Sequence, residues 1–301
     1  MSKRLAAGLL LLALLLGLAI FSDSIASHER GFMKAVRYDT VDGKEVMRVS
    51  PEPPSRFFLF GSDGWGYDLF SEMVHGLGWT LSIVFATALL RSTVALAMGM
   101  TLGILRPGAL RRRRFSPLAS IPGFILAAFV LYPVTINSRL PPVLLFTVQS
   151  SLLALVELPA LAESFAARAA DILGRPFVEA ARTAGAGGPW LLRYHVLPFA
   201  FTDWLESLPV QALSVAALVG KLGVLRIFIG GTILTIDPVI FLPAKGEWLG
   251  LLGYYYTGVR GQPWLFLAPF AGWMLILTCV GLLSSGMKTA WARSRRILSS
   301  S

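Results

Sequence analysis

Charge is scarce in this chain. Only 15% of its 301 residues are Asp, Glu, Lys or Arg, against about 25% in a typical soluble domain. With 55% hydrophobic residues and a positive mean hydropathy, that shortage excludes an ordinary water-soluble globule. Cysteine is scarcer still. Cys279 stands alone in an apolar run, so neither a disulfide nor a Cys-based metal site can be built within one chain. Histidine is limited to His28, His75 and His195, and no two have metal-ligand spacing on one helix. No Gly-rich loop ends in Lys-Ser or Lys-Thr, so ATP is not bound by that route. A membrane serine protease would need a Gly-x-Ser-Gly setting and a histidine within a span; Gly61-Ser62-Asp63-Gly64 falls outside the apolar runs. We therefore expect no enzyme activity, no cofactor and no metal.

What the chain has in abundance is apolar runs. A bilayer crossing takes about 20 apolar residues, and several runs reach that length, which predicts an all-helical protein crossing the membrane six times. The net charge of +10 is not a nucleic-acid signature. Most basic residues sit just outside the apolar runs, where they set topology.

Residues 1–21 form the first expected span, with Lys3 and Arg4 holding its start in the cytoplasm. A cleaved secretory signal is the other reading, since small residues follow at 22–27. The run exceeds the usual 7–15 residues of such signals, which favours the anchor. Residues 22–76 are polar and extracytoplasmic, with one or two short strands around an Asp42-Gly43 turn. Residues 77–290 hold the rest, with spans expected at 77–105, 117–136, 143–163, 199–224 and 264–283. The basic loop 106–115, a connecting segment 164–198 and the tail 291–301 fall inside. Residues 225–263 lie outside as a re-entrant or interfacial segment, broken by Gly230-Gly231 and Asp237-Pro238. Pro159 bends the fourth span, Asp203 and Glu206 suit the start of the fifth helix, and Lys221 snorkels at its far end. Lys3, Arg4, Arg111 to Arg114, Arg168, Arg175, Arg182, Arg193, Lys288, Arg293, Arg295 and Arg296 all fall on the inner side, and both termini with them.

Arg91 lies near the middle of the second span. A charge at that depth costs at least about 2.5–3.5 kcal/mol, so it needs a partner or water. Glu157 in the fourth span is the candidate partner. The pair either lines a translocation path or forms a buried structural link.

The stretch from Glu179 to Pro198 reads EAARTAGAGGPWLLRYHVLP. Strong helix formers open it, Gly185, Gly187, Gly188 and Pro189 interrupt, and an apolar pattern resumes at Trp190. The expected form is a short helix, a Gly-rich bend and a second helix leading into the next span. The bland reading is an amphipathic surface helix between spans. The spacing itself resembles the cytoplasmic coupling loop of ABC-importer permeases, the EAA motif: Glu-Ala-Ala, three residues, Gly, nine residues, a variable and usually apolar position, one more, Leu-Pro. Here those positions are Glu179, Ala180, Ala181, Gly185, His195, Leu197 and Pro198. The ending resembles the dipeptide, oligopeptide and nickel branch. Gly61-Ser62-Asp63-Gly64-Trp65-Gly66-Tyr67-Asp68 is similar to a Gly-Thr-Asp, two residues, Gly-Arg-Asp pattern before the second span of that branch, with Tyr67 in place of its Arg; locally it reads as a capped turn. Gly246-Glu247-Trp248 and Pro263-Trp264 are similar to its outer loop. The tail from Ser284 to Thr289 keeps a Gly and a basic residue of the family ending and loses both acids.

The resemblance implies a type I, MetI-like permease fold with six spans, working as the second permease of a peptide importer in the cell membrane. It implies a homologous second permease subunit, two cytoplasmic ATP-binding subunits and an extracytoplasmic solute-binding protein as partners, within the lipid bilayer and without nucleic acid. The alternatives are a permease for nickel or another small solute, and a non-transport membrane scaffold that kept the fold.

Overall fold

The computed structural model describes residues 2–41, 44–105 and 121–300, without the side chains of 41, 104, 105 and 290–300. The basic loop at 106–115 and the Asp42-Gly43 turn lie outside the described residues. Helix α1 spans Lys3–Ile20 and is capped by Ser2, whose hydroxyl accepts from the Leu5 amide at 3.2 Å. A four-residue turn of helix, α2, covers Ser22–Ile25. Strands β1 (Val36–Val41) and β2 (Lys44–Val49) pair antiparallel with Val41 opposite Lys44, in the region where strands were expected.

Helix α3 runs from Leu69 to Leu105, eight residues earlier than the apolar run begins. Asp68 explains the early start: its carboxylate accepts from the Ser71 amide and hydroxyl at 3.3 and 2.5 Å, satisfying the open first turn. Asp63 organises the preceding turn by accepting from the Trp65 and Tyr67 amides, both at 2.9 Å. The Gly61 to Asp68 stretch is thus built as the capped turn.

Helix α4 covers Gly123–Thr135, only 13 residues, which at 1.5 Å per residue is about 20 Å and short of a full crossing alone. Asn137 follows with φ 43° and stitches this end to the chain around Leu234: its side-chain nitrogen donates to Leu234 O at 3.0 Å and its oxygen accepts from the Leu234 amide at 2.9 Å. Helices α5 (Pro142–Val156) and α6 (Leu158–Leu173) form one path bent by 53° at Glu157. The boundary expected at 163, between the fourth span and the connecting segment 164–198, falls inside α6, which runs on to Leu173. The break falls at Glu157, because Pro159 has no amide to give Leu155 O and the Glu157 amide turns to that carbonyl instead. Helix α6 then packs against α3 through small residues. A methyl added at Gly99 would lie 2.5 Å from Ala162 O, and one at Gly103 would lie 2.7 Å from Ala169 Cβ. Gly99 and Gly103 are four apart, the spacing by which spanning helices bring backbones together.

Helices α7 (Pro176–Thr183) and α8 (Gly188–Leu191) precede a single wide π turn over Leu192–Val196, and α9 follows from Leu197 to Val224. Asp203 and Glu206 are not in the first turn of α9, which begins at Leu197. Beyond α9 the segment expected to be re-entrant or interfacial holds a β-hairpin, β3 (Thr232–Ile236) with β4 (Val239–Pro243). The chain is therefore mostly helical with two hairpins among its described residues, not all-α. Helix α10 (Trp248–Tyr255) follows and is largely buried. It locks onto α3: the Trp248 ring nitrogen donates to Met73 O at 2.6 Å and its amide to Thr80 Oγ1 at 2.9 Å. Gly76 permits this, since a methyl there would stand 1.9 Å from Gly246 O. Helix α11 runs from Pro263 to Ser300, so the expected tail continues the last helix.

Among the described residues four helical stretches are long and apolar enough to cross a membrane: Lys3–Ile20, Leu69–Gly103, Gly188–Val224 and Pro263–Thr289; the bent pair α5–α6 makes a fifth if it is one span. The main core joins α1, α3, α4, α5, α9, α10 and α11. A second cluster, with Ala95, Phe165, Ile172, Val196 and Ala200, joins α3 and α6 to the start of α9. Helix α9 has 28 residues, about 42 Å, so the β3–β4 hairpin that follows it and the α7–α8 segment that precedes it lie at its opposite ends.

Candidate functional site

Two groups of residues stand out. The first lies inside the bundle. Arg91 is fully buried, and its Nη1 donates to Glu157 Oε2 at 2.6 Å. The same nitrogen reaches Gln211 Oε1 at 3.2 Å and Ser214 Oγ at 3.4 Å, and Nη2 donates to Leu153 O at 2.8 Å. Leu153 O is the carbonyl that the Glu157 amide would meet in a regular helix. At the bend that amide is used elsewhere, and the guanidinium takes its place. Arg91 thus closes the open end of α5 as well as facing a carboxylate. Ser214 also donates to Glu157 Oε2. Glu157 is 40% exposed, and no described residue bonds its Oε1. The sequence pointed to Arg91 and Glu157; it did not point to Gln211 and Ser214. Their positions, three apart, put both on one face of α9.

The second group is the α7–α8 segment. Pro176 occupies the first turn of α7, where its missing amide costs nothing, and Glu179 sits in the same turn near the positive end of the helix dipole. Gly185 ends this helix with φ +91°. Its amide donates to Arg182 O at 2.9 Å, and the Ala186 amide donates to Ala181 O at 3.0 Å. That pair of bonds is a Schellman stop, whose left-handed residue is best filled by glycine. Glu179, Ala180 and Gly185 are exposed and Ala181 half-buried. A methyl at Gly185 would touch nothing within 4 Å, so conformation, not crowding, demands the glycine.

Pro189 starts α8. The Leu197 amide then bonds Leu192 O across the wide turn. Pro198 has no amide to give Tyr194 O, which fits a turn that departs from the regular ladder here. His195 stands between aromatic rings, its centroid 5.6 Å from Phe177 and 5.1 Å from Trp190. Its Nε2 is buried and has no hydrogen bond among the described residues, which suits a packing residue and not a proton carrier. Beneath, Val196 and Ala200 root the segment in the second cluster. An ion-pair chain ties its two flanks: Arg168 Nε donates to Asp203 Oδ2 at 2.7 Å, and Asp171 receives Arg168 at 3.4 Å and Arg175 at 3.2 Å. Phe177, Trp190, Tyr194, Leu197 and Phe199 are all exposed. Exposed apolar residues grouped on one segment mark a contact surface. The sequence singled out the EAA positions; it missed Phe177, which α7 brings against His195 and Phe199, and the Arg168–Asp203 link, which arises where α6 meets α9.

The chain has relatives among peptide transport proteins. It is 26% identical over 235 residues to a di/tripeptide transport system permease protein of Pseudomonas aeruginosa, covering 77% of this chain and 71% of that one. A peptide transport system permease protein of Escherichia coli is 28% identical over 236 residues, 77% of this chain and 73% of that one. A dipeptide transport system permease protein of Alkalihalophilus pseudofirmus is 23% identical over 248 residues, 79% and 72% of the two chains. No family profile matches the chain.

Proposed function

We propose that this chain is a permease subunit of an ATP-driven peptide importer and that the segment from Glu179 to Pro198 is its grip on a cytoplasmic ATPase. The observation that carries this is the build of the segment. A short helix stops at a Schellman glycine, a second helix leads into α9, and Arg168 and Asp203 tie α6 to α9, so a push on α7 moves α6 and α9 together. The relatives, named as peptide and dipeptide permeases, supply the solute class.

In this reading the chain crosses the membrane six times in a type I, MetI-like arrangement, with α4 and the α5–α6 pair as two of the crossings. Both termini and the α7–α8 segment are cytoplasmic, and the two hairpins are outside. A homologous permease subunit, two ATP-binding subunits and an external solute-binding protein complete the machine. Closure of the ATPases displaces the segment as a rigid body, and the bundle passes between inward- and outward-open states.

Co-purification tests the reading. The chain with its partner subunits should retain the ATPases, and Glu179→Arg should remove them while the chain still folds, because Glu179 is exposed and its backbone is that of an ordinary helix. Gly185→Asp should also release them, though it disturbs the helix stop as well. Retention of the ATPases by Glu179→Arg would count against docking through this face.

A further inference from the structure

The outward faces of the spans differ in kind. Helix α1 shows Leu10, Leu14 and Ile20 to its surroundings, and α11 shows Leu267, Phe270 and Met274. These are surfaces fit for lipid. Helix α9 differs. Ala212, Val215, Ala216, Val219 and Leu222 bury its apolar side in the core. At 100° per residue, Asp203, Ser207, Gln211, Ser214 and Lys221 fall within about 80° on its other side. None of the five is buried. The stripe is continuous from Asp203 to Ser214, is interrupted by the buried Leu218 and resumes at Lys221; it faces the bent α5–α6 pair and α4: Asp203 meets Arg168, Ser214 meets Glu157, and Lys221 Nζ lies 5.7 Å from the Phe124 ring centroid. A half-exposed polar stripe at membrane depth is costly against hydrocarbon. Glu157 sits midway along it with one oxygen engaged and the other open.

We propose that the polar face of α9 is the wet wall of the solute path, and that Glu157 Oε1 receives the α-ammonium of a short zwitterionic peptide. This rests on the permease reading and adds which face carries the solute and which atom meets it. Charge complementarity supports the choice of solute. Arg91 fixes the carboxylate through Oε2 and leaves Oε1 with free lone pairs, an acceptor for N–H donors that repels a free carboxylate. The stripe sets Asp203 against Lys221 and so suits a molecule bearing both signs.

The test uses single cysteines in a Cys279→Ser background, in the chain assembled with its partner subunits in membrane vesicles. Ser207→Cys and Gln211→Cys lie on the stripe, Met274→Cys on the apolar outer face and Ala216→Cys in the core. A charged methanethiosulfonate reagent attacks the thiolate, which forms in water and not in hydrocarbon. The stripe cysteines should react at least about tenfold faster than Met274→Cys, although Met274 is the more exposed position. Trialanine should slow labelling of Ser207→Cys. In the Glu157→Gln background that protection should need at least about tenfold more trialanine, the loss of one charge-assisted bond. Labelling of the stripe no faster than Met274→Cys overturns the wet wall. Protection unchanged in Glu157→Gln overturns the ammonium site, and should Glu157→Gln fail to assemble, Ser207→Cys protected equally by N-acetyl-trialanine would do so. ATPase retention, read in the same vesicles, separates these failures from failure of the permease reading.

Discussion

Replacing Arg91 by Met keeps most of the side-chain volume and removes the guanidinium. Glu157, Gln211 and Ser214 then lose Nη1, and Leu153 O loses Nη2. Breaking one side of a fully buried pair costs about 3–5 kcal/mol. Glu157 is 40% exposed, so water relieves part of this and the share falls to about 1–3 kcal/mol. The orphaned Leu153 carbonyl adds about 1–3 kcal/mol. The sum, about 2–6 kcal/mol, is a large fraction of the stability of a typical domain. Glu157→Gln leaves the guanidinium buried with a weaker acceptor, for about 1–3 kcal/mol. The double variant carries neither charge, so its cost should fall below the sum of the two singles by at least about 1 kcal/mol. Unfolding in detergent, followed by tryptophan fluorescence, reads all three. Costs that add to within about 0.5 kcal/mol would refute the coupling, and a neutral Arg91→Met would refute the cap on α5 as well.

Gly99→Val should separate α3 from α6, since even one methyl would sit 2.5 Å from Ala162 O; a loss of more than about 2 kcal/mol is expected by the same assay. Glu247 caps α10 from a fully buried position, accepting from the Leu249 amide at 2.9 Å, and burial pushes its carboxyl up to about 8 from 4.5. A raised acid favours the folded state in its protonated form, so this contribution is complete below about pH 4.5 and is lost as pH rises to about 8. Glu247→Gln should flatten the stability profile across that window, seen as a smaller difference between melts at pH 5 and pH 8. Asp203→Asn should weaken the tie to Arg168 by under about 1 kcal/mol, because the pair is partly exposed, yet it should lower ATPase stimulation by transported peptide more than it lowers basal ATPase turnover. Equal loss in both rates would assign the pair a purely structural role.

Some of this was legible in the sequence for plain reasons. Length and hydropathy expose α1, α3, α9 and α11, because a bilayer imposes both on a span. The cost of a charge in hydrocarbon singled out Arg91 and reached for an acid, and the structure places Glu157 2.6 Å away. The spacing around Gly185 foretold helix, bend and helix. The rest depended on partners distant in sequence. Residues 232–243 form an apolar hairpin that no periodicity separates from a broken helix, and its pairing with Asn137 is set by the α4–α5 turn. The bend fell at Glu157, two residues before Pro159, because the missing proline amide is felt at the carbonyl four residues earlier. Helix α3 began at Leu69 because Asp68 caps it, a local hydrogen bond that the apolar run does not record.

The central claim is that the α7–α8 segment protrudes into the cytosol. Ala184 is exposed and has an ordinary backbone, unlike Gly185 at φ +91°. A cysteine there, in the Cys279→Ser background, should react with an impermeant thiol reagent in everted vesicles and stay silent in right-side-out ones. Reaction confined to right-side-out vesicles would place the segment outside and contradict the account.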